Sequence, residues 1–99
     1  MSHDALEQLQ QWYLAQCDED WEESYGVTIE TLDNPGWKLK IDIVDSALDG
    51  MTLPFQRVDR SETDWIQSES DGVLYKACGG AMNLTEMIEA FIVHARAAR

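Results

Sequence analysis

The chain has 99 residues, the usual length of one domain, and 44% of them are hydrophobic, which predicts a folded chain with a single core over residues 1–99. Its 19 acidic and 7 basic residues give a formal net charge of −12, which disfavours binding to nucleic acid and to anionic membranes. The same charge would attract a basic protein surface, although solubility alone is the simpler explanation.

The start of the chain bears on its location. Residues 1–20 include Asp4 and Glu7 and hold no long apolar run, so we expect no signal peptide. No other stretch approaches the roughly 20 apolar residues of a membrane span. Cys17 and Cys78 are too few for a disulfide scaffold. We therefore expect reduced thiols and a cytoplasmic protein.

The first predicted element is a helix from about Asp4 to Cys17. Asp4 is a suitable cap, with Glu7 three places on as in a capping box. The apolar residues recur at spacings of three and four and predict a face that joins the core. They are Leu6, Leu9, Tyr13 and Cys17, with Ala5 and Trp12 beside them.

Residues 18–24, here called the acidic loop, break the helical pattern and are expected to form an open loop. Apolar and polar residues then alternate over residues 25–32 and 37–43, which predicts two half-buried strands. The Asn34-Pro35-Gly36 string between them has type II turn chemistry. Because that twist suits a two-residue hairpin poorly, we expect a slightly longer loop.

Three more strands are predicted after a connection over residues 45–53. They cover residues 55–60, 64–70 and 73–78, and the Asp71-Gly72 pair indicates a tight hairpin between the last two. The final helix begins near Asn83, with Glu86 three residues later and with Arg96 and Arg99 at its basic end. Its apolar stripe consists of Leu84, Met87, Ile88, Phe91, Ile92 and Ala95.

These elements predict an α+β fold. It consists of a single antiparallel sheet of about five strands, connected as a meander, with the N-terminal and C-terminal helices packed on one face.

Catalytic and metal-binding spacings do not occur in the sequence. A calcium loop starting at Asp18 would need glycine and glutamate where the chain has Glu23 and Ile29. The residues that zinc prefers are scattered: His3, Cys17, Cys78 and His94. A pair of His94 with either cysteine stays open, but buried thiols and a surface imidazole are the simpler interpretation. We predict no enzyme activity, no metal and no cofactor.

The acidic loop holds five acids within six residues, surrounding Trp21: Asp18, Glu19, Asp20, Glu22 and Glu23. Such crowded like charges repel one another, so we expect part of them to face a partner, unless Asp18 or Asp20 caps a turn. Trp21 and Trp65 are each either core residues or exposed anchors, since tryptophan is enriched at interface hot spots. Trp12 and Trp37 are expected to be structural.

Short strings along nearly the whole chain match one family pattern. They are Trp12-Tyr13, Cys17-Asp18, Asp20-Trp21-Glu22, Tyr25-Gly26-Val27, Thr31-Leu32-Asp33-Asn34-Pro35-Gly36-Trp37, Asp64-Trp65, Gly79-Gly80 and Asn83-Leu84. The chain thereby resembles the immunity protein 53 family of bacterial polymorphic toxin systems. The family pattern often has glycine and histidine where this chain has Glu19 and Glu23, so this loop is more acidic.

The resemblance implies a small cytosolic α+β protein that binds and silences a toxin made by the same cell, without catalysis. Many such toxins are nucleases, whose basic clefts an acidic inhibitor can occupy. The alternatives are a general protein-interaction or adaptor domain with the same fold and a small ligand-binding protein. Either a monomer or a weak dimer is compatible with the sequence.

Two sets of residues follow from this hypothesis. The toxin-binding surface is expected to comprise Asp18, Glu19, Asp20, Trp21, Glu22 and Glu23, with Asp64 and Trp65 as neighbours. A structural role is expected for the other motif residues, which are Trp12, Tyr13, Gly26, Asp33, Asn34, Pro35, Gly36 and Trp37.

Overall fold

The computed structural model describes residues 4–98, so His3 and Arg99 of the sequence predictions lie outside the described residues. A helix, a single-turn helix, five strands and a final helix follow one another. Their bounds are α1 Ala5–Gln16, α2 Trp21–Ser24, β1 Val27–Leu32, β2 Gly36–Asp42, β3 Thr52–Asp59, β4 Trp65–Asp71, β5 Leu74–Gly79 and α3 Leu84–Ala97.

The five strands form one antiparallel sheet in the order β1-β2-β5-β4-β3. The α+β class, the strand number and the antiparallel pairing are confirmed. The meander is wrong, because β2 pairs with β5 and not with β3. Residues 43–51 cross one end of the sheet to reach β3 at the far edge. Strands β2 to β5 thus have a Greek-key order, in which a long connection returns the chain.

Burial explains why β5 takes the central position and β3 the edge. Tyr75 and Ala77 of β5 are almost inaccessible, whereas every residue of β3 except Leu53 is exposed. Pro54 has no backbone N–H to donate, which confines it to an edge strand. The β3–β4 register shifts between Leu53 and Gln56, on either side of this proline. Pro54 was therefore a signal in the sequence against a central β3.

The core lies between the sheet and the two long helices, which pack on one face as predicted. Leu39 and Ile41 of β2 pair with Ala77 and Tyr75 of β5, and these four buried residues form an apolar row. The helices cover it with a second set of buried residues, which are Ala5, Leu9, Met87, Ile88, Phe91 and Ile92.

The α1 helix presents a different face from the one predicted. Ala5 and Leu9 are buried and Trp12 is half-buried, so these three residues join the core. Leu6 is 53% exposed and Tyr13 39% exposed, although both were expected in the core. The buried stripe is turned toward α3, and Tyr13 instead borders β1.

The two long helices begin differently. Asp4 caps α1 as predicted, since its carboxylate accepts the Glu7 N–H at 2.7 Å. Asn83 occupies the cap position of α3 but makes no side-chain cap bond. Its side-chain amide instead donates to Glu86 and accepts the Trp65 N–H, so it joins the start of α3 to the sheet.

Phe91 is the residue through which both helices and the sheet meet. It is fully buried, and its ring lies 5.0 Å from Trp12 of α1 and 5.1 Å from Tyr75 of β5. We predict that Phe91→Ala lowers the free energy of unfolding by about 3–5 kcal/mol, through lost transfer energy and a cavity.

Denaturant melts check this prediction against Val93→Ala, which alters a 64% exposed residue of the same helix. The control should change stability by less than about 0.5 kcal/mol. Equal losses in the two variants would contradict the described packing of α3.

Candidate protein-interaction surface

Residues 18–24 were expected to be an open loop, but they contain the helix α2, held in place by two of their own acids. Asp18 Oδ1 accepts the backbone N–H of Trp21 at 2.9 Å. In return, the Glu22 carboxylate accepts the N–H groups of Asp18 and Glu19, each at 2.9 Å. This reciprocal bonding is like that of a capping box. Asp18 and Glu22 therefore stabilise the loop that carries them.

The loop backbone also explains two properties of its residues. The N–H groups of Trp21 and Asp20 hold the pKa of the Asp18 carboxyl below its usual range, because they stabilise its charged form. Glu19 adopts φ 81°, in the left-handed region that glycine occupies at least cost. Glycine would therefore suit this turn better than glutamate does.

Trp21 is a core residue, so the alternative of an exposed anchor does not apply in this structure. The side chain is 4% exposed, and its indole N–H donates to the Val44 carbonyl at 2.9 Å. Its ring centroid lies 6.0–6.1 Å from those of Trp12, Tyr13 and Tyr25. These contacts tie the acidic loop to α1 and to the end of β2.

Three acids of the loop point away from the fold. Glu19, Asp20 and Glu23 are exposed, and their carboxylates take part in no hydrogen bond or ion pair found among residues 4–98. The loop therefore holds three unpaired charges on a backbone fixed by Asp18, Glu22 and the buried indole.

Asp64 and Trp65 make structural contacts instead. Asp64 Oδ1 accepts hydrogen bonds from Arg60 at 3.0 Å and from Asn83 at 2.9 Å. These bonds lower the pKa of the Asp64 carboxyl, with the Arg60 guanidinium having the larger effect and the Asn83 amide the smaller one. Trp65 is 8% exposed, and the Arg57 guanidinium lies 4.4 Å from its ring centroid. Trp65 is therefore also a buried residue and not an exposed anchor.

The sheet separates Asp64 and Trp65 from the acidic loop. Trp65 begins β4 beside the end of β5 and the start of β2. The loop is instead tied to Val44, two residues past the end of the seven-residue β2. At about 3.3 Å per strand residue, the two sites are about 20 Å apart. The expectation that they are neighbours is wrong.

The sheet end near Val44 gathers acids that the sequence reasoning missed. The Asp42 carboxylate accepts the Gly26 N–H at 2.9 Å, next to the acidic loop. Gly50 donates to the Gly72 carbonyl at 2.9 Å, which joins the 43–51 connection to the β4–β5 turn. The acids on these segments are Asp42, Asp45, Asp49 and Asp71. In the sequence, Asp49-Gly50 and Asp71-Gly72 indicated turns near strand ends. Only the pairing order of the strands shows that these turns lie at the same end of the sheet.

Most of the remaining motif residues lie in the framework at the opposite end of β2. A Cβ atom on Gly36 would lie 2.3 Å from the Gly79 carbonyl oxygen, so no side chain fits there. The Trp37 indole donates to the Ala81 carbonyl at 2.9 Å. Residues 33–35 form an exposed three-residue turn, which confirms the longer loop.

The sequence also raised a metal site and a cysteine–histidine pair, and the described residues bear on both. Within residues 4–98, no group of three or more His, Cys, Asp or Glu is placed to hold a metal ion. Cys78 pairs in register with Lys38 on the face away from the helices, whereas His94 lies on α3, so the two are on opposite faces. No helix in this described range is long and apolar enough to cross a membrane.

The chain folds as a small α+β domain. The acidic loop and the segments that carry Asp42, Asp45, Asp49 and Asp71 lie at the same end of its sheet, here called the acidic end. The family model described as Immunity protein 53 matches residues 6–96, and the chain belongs to this family. The family implies an immunity protein that acts against a toxin. No curated protein and no solved structure is significantly similar to the chain.

The loop geometry predicts a pH-dependent contribution of Asp18. Because hydrogen bonding lowers its folded pKa, its stabilisation is present above the unfolded value of about 3.9 and is lost as the pH falls through the folded pKa. Asp18→Ala should lower the melting temperature at neutral pH, and the difference from wild type should shrink below about pH 4.

Asp20→Ala is the matched control, since Asp20 is an exposed acid of the same loop. Its melting temperature should stay close to that of wild type. Thermal melts over a pH series measure both variants. Equal effects of the two changes, or a difference independent of pH, would contradict the described bonding.

Proposed function

We propose that this protein neutralises a cognate toxin by binding it directly through the acidic end of the molecule. One observation carries the proposal: Glu19, Asp20 and Glu23 are exposed and unpaired on a backbone that the bonds of Asp18 and Glu22 and the buried Trp21 hold in place. Crowded like charges lower stability, and these three acids give the fold no described contact in return. A partner with a basic surface would compensate them.

The chemistry of the partner follows from this charge. A basic cleft, such as a nuclease uses to hold phosphates, is complementary to an acidic surface, and complementary charge speeds association. The protein then inhibits by occupying the toxin surface and not by turnover, and it acts in the cytoplasm of the cell that makes the toxin. It works as a monomer or weak dimer.

Co-expression tests the function itself. The product of the neighbouring gene, tested as the candidate toxin, is expressed with and without the protein, and growth is scored. Rescue from growth arrest, together with recovery of a complex of the two proteins, is the expected result. Persistent arrest with a folded protein present would exclude the immunity function and leave a general adaptor domain.

Charge reversal tests the surface. Glu19→Lys with Glu23→Lys should leave the melting temperature nearly unchanged or raise it slightly, because neither carboxylate has a described partner and the change relieves repulsion within the loop. Association with the toxin should slow by at least about 5-fold at low salt, and its salt dependence should flatten, as for rim charges that steer a partner.

Glu62→Lys with Glu89→Lys is the control, since both residues are exposed and the change in net charge is the same. Binding kinetics at two salt concentrations compare the two double variants. If both slow association equally, the overall charge is responsible and the acidic loop is not the contact surface.

A further inference from the structure

The outer edge of β1 has unused backbone hydrogen-bonding groups. The Asp42 N–H donates to the Gly26 carbonyl at 3.1 Å, which makes this the first hydrogen-bonded pair of the β1–β2 ladder. Bonded and non-bonded pairs alternate along an antiparallel ladder. The N–H and C=O groups of Val27, Ile29 and Thr31 therefore point away from β2, toward the open edge.

The two edge strands of the sheet differ in how they are protected. Edge strands are usually shielded from pairing by proline, lysine or a bulge. On β3, Pro54 and a register shift serve this purpose. On β1, the register is regular from Val27 to Leu32, and no residue is proline, lysine or arginine. The β1 edge is thus the one open to an additional strand.

An apolar groove runs beside this edge, between α1 and β1. It has a volume of about 320 Å³ and is lined by Leu9, Gln10, Tyr13, Gly26 and Val27. Exposed apolar side chains adjoin it, because Ile29 pairs with buried Leu39 and lies on the helix side of β1, yet is 37% exposed. An extended chain paired with β1 would direct every second side chain into this groove.

The charge around the groove determines what fits it. Residues 4–35, which form α1, the acidic loop, β1 and the turn after it, contain no lysine or arginine. They carry nine acids, which are Asp4, Glu7, Asp18, Glu19, Asp20, Glu22, Glu23, Glu30 and Asp33. Glu30 is paired with Lys40 of β2 at 3.8 Å, and five of the other eight acids lie in the acidic loop, just before the Gly26 end of the groove. A segment that docks here is therefore expected to be basic at that end.

From the open edge, the groove and this charge we infer that an extended basic segment of the toxin adds to the sheet as a sixth strand beside β1. Alternate apolar side chains of the segment fill the α1–β1 groove, and basic side chains at the end of the segment beside Gly26 reach the acidic loop. The inference rests on the proposed function and locates its interface. A second copy of this chain fits less well, because β1–β1 pairing would bring Glu30 toward its own copy and would join two proteins of charge −12.

A peptide tests the groove without the toxin. ¹⁵N-labelled protein is titrated with a short blocked peptide of alternating valine and threonine that has two lysines at each end, and with a matched peptide that has glutamate in place of lysine. The lysine peptide should shift the amide signals of Val27, Ile29 and Thr31, and the glutamate peptide should not. Shifts confined to the Lys38 and Lys76 face, or no shifts, would overturn the inference.

A pair of variants tests the groove in the complex. Ile29→Lys places a charge at the β1 edge, and Val58→Lys makes the same change at an exposed valine on the helix side of β3. Ile29→Lys should weaken toxin binding by at least about 30-fold, the effect of a hot-spot residue. Val58→Lys should change it by less than about 3-fold. Thermal melts confirm that both variants are folded.

The outcomes separate the two proposals. If wild type binds the toxin and Ile29→Lys binds equally well, the β1 edge is not the interface, while the immunity function stands. If wild type does not bind the toxin, the immunity function fails, and the peptide titration still decides whether the groove accepts a basic strand.

Discussion

The buried indole of Trp21 is the contact on which the acidic end of the molecule depends. Its N–H bonds to the Val44 carbonyl, and its ring packs among three other aromatic rings. Repulsion between the like charges of this loop favours a more extended, solvent-exposed loop. Burial of one large aromatic residue offsets this repulsion and fixes the loop backbone in a single conformation. The backbone positions from which the exposed acids project are therefore set by the fold.

The acids of the loop divide between two tasks. Asp18 and Glu22 bond to backbone N–H groups and stabilise the turn, whereas Glu19, Asp20 and Glu23 have no described partner. Glu19 also holds a left-handed conformation that favours glycine. Glutamate at position 19 therefore adds a charge but lowers stability through its backbone conformation. Such a loss of stability is common at surfaces used for binding.

Local patterns in the sequence predicted the elements well. The strands from period-two alternation, the α1 cap at Asp4, the buried stripe of α3 and the Asp71-Gly72 turn all occur in the structure. These features depend on neighbours within a few residues, which the sequence shows directly. The family was likewise recognised from local strings and is confirmed over residues 6–96.

Features set by distant parts of the chain were missed. The strand order depends on pairing between distant parts of the chain, so the meander was wrong and Pro54 was the one local signal against it. The separation of Asp64 from the acidic loop required the sheet register. The sequence left open whether Asp18 caps a turn and whether Trp21 is buried, because both depend on three-dimensional contacts that spacing alone does not fix. The bonds of Glu22 to the loop backbone were not expected.

The crossing of residues 43–51 has a consequence for how the protein folds. The inner neighbour of β2 in the sheet is β5, so Trp37 pairs with Gly79, far along the chain. The central strand pair can therefore form only after this long stretch of chain has closed into a loop. Contacts between such distant residues raise the entropy cost of the folding transition and slow it. The acidic end is affected as well, because Ile43 beside it bonds to the Val73 carbonyl. During synthesis, the Ile43–Val73 bond that adjoins the acidic loop can form only after β4 has been made.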